Sequence, residues 1–334
     1  MLLYRDKELP LVAKGNIRII SYNIDHGDDF NNESNNILRE TLKTLLYNEN
    51  NNTIPKFIFL QECTHDILEF LSELLLDDSN FNMIYSKKII NDKTRKYNNF
   101  EYFIIIYNNS AGKIELRHNE LIDINPTDLL TELEKNVLID TPIGKNKSIS
   151  LYRKLLDSNK LLIQHVQFKL ENSEFINFYN VHLSSKPYLN FIQAYMLKKY
   201  LSIHELHGKE LVVILGDFNN KFNSYSLHLL KQTIDVNEFN HLDLKLKNKS
   251  SKLRNINKVT NTDYLFENVT DKLLLNRDKL GEVINKTIDH ILYDKNNMKL
   301  ISYTNDMHIE YKHDNTPSDH FYVDCLFKLS NIRT

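Results

Sequence analysis

The stretch Leu211-Val-Val-Ile-Leu-Gly-Asp-Phe-Asn-Asn220 decides how the rest of the chain is read. Five apolar residues run into a glycine and then offer a carboxylate and an amide two positions apart. A short run rich in Val and Ile, closed by Gly, suits a strand covered on both faces and is too short to hold itself as a helix. With a side-chain period of two, Asp217 and Asn219 fall on one side if the chain stays extended through Phe218, so both can address one bound group. Such a pair suits a hard divalent cation or a water about to lose its proton. Gly-Asp and Asn-Asn are equally ordinary turn chemistry, so by itself the stretch is also compatible with a strand that simply turns.

Three other stretches shift the balance, because each is an apolar run that discharges polar groups where a strand should stop. They are Asn16-Ile-Arg-Ile-Ile-Ser-Tyr-Asn23, Lys56-Phe-Ile-Phe-Leu-Gln-Glu62 and Asn177-Phe-Tyr-Asn-Val-His182. Open sheets carry their sites at strand ends, so four such ends can converge on one pocket.

The chain has 334 residues, enough for about two domains, yet the polar-tipped strands span nearly all of it. The expectation is one catalytic domain over 1–334 with an insertion or irregular arm at 110–158. Basic and acidic residues nearly balance, 42 against 44, so no nucleic-acid partner is forced by total charge and any binding face must be local. Two cysteines cannot make a disulfide framework, Met1–Glu8 breaks its apolar start with charges, and no run approaches transmembrane length. A soluble, monomeric protein of a reducing compartment, cytoplasmic or nuclear, is expected.

Helical spacing marks Asn35–Leu46, Asp66–Leu76 with Thr64 as its cap, and Tyr188–His204. Further strands are expected at Phe81–Ser86, Phe100–Tyr107 and, as a hairpin, Leu161–Leu170 with Glu174–Leu183. A short helix is expected near Thr127–Lys135. Two last strands follow, Lys286–Tyr293 and Asp319–Lys328. Lys87–Lys96 and Lys245–Lys258 read as basic loops.

Six ordered signals then stand out: Ser21-Tyr-Asn23, Leu60-Gln-Glu62, Val181-His-Leu183, Gly216-Asp-Phe-Asn219, Ile288-Asp-His-Ile-Leu292 and Pro317-Ser-Asp-His320. Together they resemble the endonuclease/exonuclease/phosphatase superfamily, nearest in motifs to its tyrosyl-DNA phosphodiesterases and deadenylases. The resemblance spans about Ile17 to Leu326 and implies a four-layered α/β/β/α sandwich, two mixed sheets flanked by helices, with Mg2+-dependent hydrolysis of a phosphoester (Mn2+ being the alternative ion). It implies Glu62 as the principal metal ligand, with Asn23 assisting and Asp319 as a second carboxylate of the metal region. It also implies a catalytic group of His182, Asp217, Asn219, Asp289 and His320. Chemistry agrees with these roles: imidazole titrates near neutrality, a carboxylate orients it, and a second histidine can donate to a phosphate oxygen. His290 alternates to the other face from Asp289 and is left to packing, as is Cys63; His26, His65 and His313 receive no role.

The substrate class follows less directly. Tyr179-Asn-Val-His182 departs from the Tyr-x-Pro-Asn segment of abasic-site endonucleases, and Thr287-Ile-Asp-His290 from the Trp-Cys-Asp-Arg segment of inositol polyphosphate phosphatases. A nucleic acid or oligonucleotide substrate is expected, with the basic loops on the backbone and Tyr188 or Phe191 stacking a base. The alternatives are a sphingomyelinase-like lipid phosphodiesterase of the same fold, which needs an exposed apolar wedge, and a binding module without catalysis, which would have lost Glu62, Asp217 or His320.

Overall fold

The computed structural model describes residues 15–25, 36–47, 54–89, 100–108, 114–124, 129, 161–171, 174–203, 210–220, 224–231, 266–268, 288–305, 318, 320 and 322–330. Their elements run β1 (Asn16–Asn23), α1 (Asn36–Tyr47), β2 (Lys56–Cys63), α2 (His65–Leu75), β3 (Phe81–Ile89), β4 (Phe100–Asn108) and β5 (Glu115–Ile124). They continue with β6 (Leu161–Lys169), β7 (Phe175–His182), α3 (Pro187–Ile203), β8 (Leu211–Asp217) and α4 (Tyr225–Lys231). Last come β9 (Phe266–Asn268), β10 (Asp289–Asp294), β11 (Met298–Asn305) and β12 (Val323–Leu329).

Two six-stranded sheets result, ordered β11-β12-β1-β2-β4-β3 and β5-β6-β7-β8-β10-β9. Each is mixed, because β1 and β2 pair in parallel in the first, β7 and β8 in the second, and all other neighbours are antiparallel. Strand alternation divides the apolar residues into layers. Ile17, Ile19, Phe57 and Phe59 from the first sheet meet Phe168, Phe178, Val213, Leu215 and Ile291 from the second in one buried cluster. Phe178 anchors it, with ring centroids 5.0 Å from Phe57 and 4.7 Å from Phe59. The opposite faces bury Ile20, Tyr22, Ile58 and Leu60 against α1 and α2, and Tyr179, Val181, Val212 and Ile214 against α3 and α4. The four-layered α/β/β/α sandwich is therefore the architecture. No helix among the described residues is long and apolar enough to cross a membrane.

Several expectations are corrected. Residues 115–124, assigned to the irregular arm at 110–158, form β5, an edge strand paired with β6. Its sequence is mostly exposed and lacks an apolar alternation, so only its neighbour reveals it. β11 lies between the two strands expected to be last, and α4 and β9 were not foreseen. Lys87 and Lys88 belong to β3 and not to a loop: Lys88 reaches Glu101 at 3.5 Å and Lys87 lies 3.4 Å from the Phe100 ring centroid. Thr64 does sit at the N-cap of α2, in extended conformation, but its side chain makes no capping bond. The rest of that basic segment, the basic stretch 245–258 and nearly all of the helix expected at 127–135 fall outside the described residues.

Two backbone positions aim the strand ends. Gly216 has φ +129°, and a Cβ there would stand 2.1 Å from the Val181 carbonyl oxygen, so only glycine lets β8 lie this close to β7. Glu62 has φ +53° at a shift in the β2–β4 register between Leu60 and Cys63. That is a bulge: Cys63 returns to the helix-facing core while Glu62 is swung out of alternation into the gap between the sheets.

Replacing Gly216 by alanine is expected to cost about 3 kcal/mol or more, because both the backbone angle and the carbonyl contact must give way; chemical denaturation would show it. At Glu62, the glycine variant should be about 1 kcal/mol more stable than the alanine variant, since both lose the carboxylate and only alanine keeps the left-handed strain. Equal midpoints for the two would contradict the strain assigned to this residue.

Candidate active site

The alternation that builds the inter-sheet core also builds the site. Continuing in steps of two past Ile19, Phe178, Leu215 and Ile291, the inward positions become Asn23, His182, Asp217 and Asp289, so one end of the gap between the sheets changes from apolar to polar. Glu62 joins them through its bulge, and His320 enters beside Ser318 ahead of β12. Asn23, Glu62, Asp217 and Asp289 are all buried, with at most 8% of their surface exposed.

Beneath this rim an amide network spans the two sheets. Gln61 Nε2 donates to Asn180 Oδ1 at 2.8 Å and to Ser21 Oγ at 3.3 Å, Asn180 Nδ2 donates to Gln164 Oε1 at 3.2 Å, and Gln164 Nε2 reaches Ser86 Oγ at 3.2 Å and Asn119 Oδ1 at 3.3 Å. It separates the dry aromatic core from the site.

At the rim, Asn23 is the hub. Its Oδ1 accepts the Asp25 N–H at 3.0 Å, which turns Nδ2 toward Glu62 Oε1 at 2.9 Å, Asp217 Oδ2 at 3.0 Å and His320 Nε2 at 3.3 Å. Asn23 therefore bridges the two carboxylates as a donor, and does not present its oxygen to them. The two Nδ2 hydrogens go to the two closer carboxylates, and His320 Nε2 is their third neighbour. The other ring nitrogen, Nδ1, donates to Asp289 Oδ2 at 2.7 Å. His320 is thus held by a carboxylate in the tautomer that can accept a proton at Nε2, which also lies 3.8 Å from Asp217 Oδ2. His182 Nε2 stands 3.3 Å from Glu62 Oε1 and 3.7 Å from Asp217 Oδ2.

Asn219 meets Asp217 by a route other than the expected one. The chain does not stay extended: Phe218 is buried in the helix-facing core, Asn219 has φ +49°, and the loop folds back so that the Asn219 N–H donates to Asp217 Oδ1 at 2.6 Å. Asn219 Nδ2 is shared between Asp217 Oδ2 and the Leu183 carbonyl, both at 2.9 Å. Strand and turn readings of this stretch both hold.

Burial, reinforced by the charge of Asp289 and then of Glu62, pushes the Asp217 carboxyl well above its ordinary pKa, while His320 and the Asn219 N–H pull the other way. Three carboxylates in one buried rim have an excess of negative charge that a divalent cation would relieve. The ligand atoms of Glu62, His182 and Asp217 all lie within 4.8 Å of one another, as do those of Asp217, Asp289 and His320. Carboxylate oxygens backed by such a charge excess fit a hard ion that keeps several of its waters. Of the three residues expected to hold it, Glu62 lines the rim, Asn23 turns its Oδ1 to the Asp25 N–H, and Asp319 lies outside the described residues.

Two positioning residues escaped the sequence reading. Ser318 Oγ donates to the Asn23 carbonyl at 2.8 Å and accepts the His320 N–H at 3.0 Å, tying the histidine to β1. Asn190, on α3, donates to the Phe218 carbonyl at 2.6 Å and accepts from the Asn220 side chain, fixing the turn after β8. Ser318 lay inside a quoted motif; nothing in the letters marks Asn190. Two side chains are removed from consideration: Phe191 is buried in the core behind the second sheet and cannot stack a base, and His290 is fully buried, bonded to the Asn220 carbonyl, as its alternation implied. The Tyr188 side chain is outside the described residues.

No family model matches the sequence, and no curated protein matches it. Solved structures do. The catalytic domain of human Nocturnin with bound sulfate anion superposes with TM-score 0.56 at 16% identity, covering 94% of this chain and 95% of that one. The endonuclease/exonuclease/phosphatase from Bacteroides vulgatus gives TM-score 0.56 at 12% identity over 95% and 100%. D. rerio TDP2 complexed with single strand DNA product gives 0.52 at 14% over 94% and 99%. Across nearly its whole length, the chain has the endonuclease/exonuclease/phosphatase fold.

Proposed function

We propose that this chain is a Mg2+-dependent phosphodiesterase that hydrolyses a phosphoester bond in nucleic acid or an oligonucleotide. The observation that carries the reading is the Asp289–His320 pair, whose proton-accepting Nε2 opens onto a rim shared by Glu62, His182 and Asp217. The fold supports it, since proteins of this architecture include one crystallised with a single-strand DNA product.

Glu62 would hold the cation at the rim, with Asn23 keeping its carboxylate oriented. When bound, Mg2+ would supply positive charge against the phosphate and the developing negative charge of the reaction. Asp217 and Asn219 position the attacking water: the amide fixes one carboxylate oxygen while the raised proton affinity of the acid suits it to take or share a proton. His320, oriented by Asp289, accepts a proton or stabilises charge at the reacting phosphate. His182, across the rim from Asp217, donates through Nε2 to a non-bridging phosphate oxygen.

Screening with Mg2+ against single-stranded DNA, poly(A), 2′,5′-linked oligoadenylate, a 5′-tyrosyl end and sphingomyelin tests the substrate class; turnover of sphingomyelin alone would overturn the nucleic-acid reading. On the substrate that is cleaved, Glu62→Ala and His320→Ala should each lower kcat by about 10³-fold while far-ultraviolet circular dichroism stays unchanged. Full activity in either variant defeats the assignment. Asp217 yields a separate test in chelator. Its pKa is raised, so the stability it contributes is present below the ordinary carboxylate value and is lost as pH rises through the raised value. Asp217→Asn, which cannot ionise, should therefore unfold at higher temperature than the wild type at neutral pH, with the gap closing in acid. Mg2+ should then stabilise the wild type more than the variant.

A further inference from the structure

Away from the pocket, the outer face of the second sheet gathers three metal-ligating side chains. His118 and Glu120 are two residues apart on β5, and Glu120 lies opposite His165 on β6. His165 stacks flat on Tyr179, with centroids 4.6 Å apart and planes within 2°, and Tyr179 belongs to the helix-facing core. The catalytic rim faces the other way, into the gap between the sheets.

The donor atoms converge on one oxygen. His118 Nε2 is 3.0 Å and His165 Nδ1 3.7 Å from Glu120 Oε1, and all three lie within 4.8 Å of one another. Around a tetrahedral ion with bonds of roughly 2.0–2.1 Å, donor atoms stand about 3.3 Å apart, so the observed spacings bracket what a site requires.

What lies behind His165 decides between a simple ion pair and a ligand set. Asn177 Nδ2 donates to Glu210 Oε2 at 2.5 Å, which leaves Asn177 Oδ1 as the atom facing His165 Nε2 at 3.0 Å. Gln167 Nε2 locks the arrangement from the side, reaching Asn177 Oδ1 at 3.1 Å and Glu210 Oε2 at 3.2 Å. His165 must therefore carry its proton on Nε2, and a neutral ring keeps its lone pair on Nδ1. That Nδ1 is buried, makes no hydrogen bond, and looks at a carboxylate oxygen. A lone pair set against a carboxylate is a repulsion that a cation between them would turn into two bonds.

We propose that His118, Glu120 and His165 form a zinc site, separate from the catalytic pocket, in which Asn177 is a positioning residue and the ion clamps the edge strand β5 to β6. Two imidazole nitrogens and one carboxylate oxygen select a borderline divalent ion over Mg2+ or Ca2+, with water in the fourth position. The clamp has a structural purpose, because β5 exposes most of its side chains and pairs through its backbone with one neighbour only.

The test uses the full chain, stripped with chelator and kept in excess Mg2+, then titrated with Co2+ and Zn2+. Co2+ should give the intense visible absorption of a tetrahedral site, and Zn2+ should displace it and raise the thermal midpoint. Affinity should fall at least tenfold in His118→Ala, a half-exposed position whose replacement does not threaten the fold, and in His165→Ala. Asn177→Leu should cost about 10–100-fold while leaving all three ligands in place. His182→Ala should change nothing in this signal. The proposal is overturned if no such absorption develops, if His118→Ala and His165→Ala bind as the wild type does, or if only His182→Ala abolishes binding, which would place the ion in the pocket.

Discussion

Gln61 on β2 gives a hydrogen to Asn180 on β7 across the gap between the sheets, and the rest of the molecule is arranged around that bond. Two packed sheets can slide on apolar contacts, because dispersion and burial have little direction. Buried amides cannot slide, since each must keep its partners or bear the cost of desolvation. The chain of amides from Ser21 through Gln61 and Asn180 to Gln164 thus fixes one sheet over the other. Above it, Glu62 from the first sheet stands 3.3 Å from His182 and within 4.8 Å of Asp217, both from the second, an approach that a slip of one residue would destroy.

Strain gathers at the same end of the molecule. The non-glycine residues with positive φ among those described are Asp25, Glu62 and Asn219, each at or just beyond the end of a strand that feeds the rim. Each such angle costs of order 1 kcal/mol or more, and it persists here because hydrogen bonds hold each residue in place: the Asp25 N–H donates to Asn23 Oδ1, Glu62 accepts from Asn23 Nδ2, and Asn219 donates to Asp217. Local preference has been given up where the side chains had to converge.

The sequence made the architecture legible because the sheets obey period two over long stretches. Ile17, Ile19, Phe57 and Phe59 alternate cleanly with residues of the helix-facing layer, and the polar tips at Asn23, His182, Asp217 and Asp289 come at the same phase. The same logic excluded His290 by its phase. It failed where packing gives no periodic signal. β5 is an edge strand with most of its side chains in solvent, and no pattern distinguishes it from a loop. Phe191 reads as an aromatic near the site, yet the α3 face that carries it turns inward. The bulge swings Glu62 off the face that alternation gives it, and Asn219 reaches Asp217 through a turn that alternation does not show.

The arrangement of the first sheet also bears on the order in which the molecule can be made. β1 lies between β2, which follows it closely, and β12, more than three hundred residues away in register Asn16 to Lys328, with Arg18 forked onto Asp324. During synthesis β1 emerges early and waits with one long edge open until the more than three hundred residues that separate it from β12 have been made. Asp289 and His320 arrive in that same late interval, while Glu62 has long been in place. The pocket can therefore be completed only late, after Glu62, His182 and Asp217 have already been made without the Asp289–His320 pair.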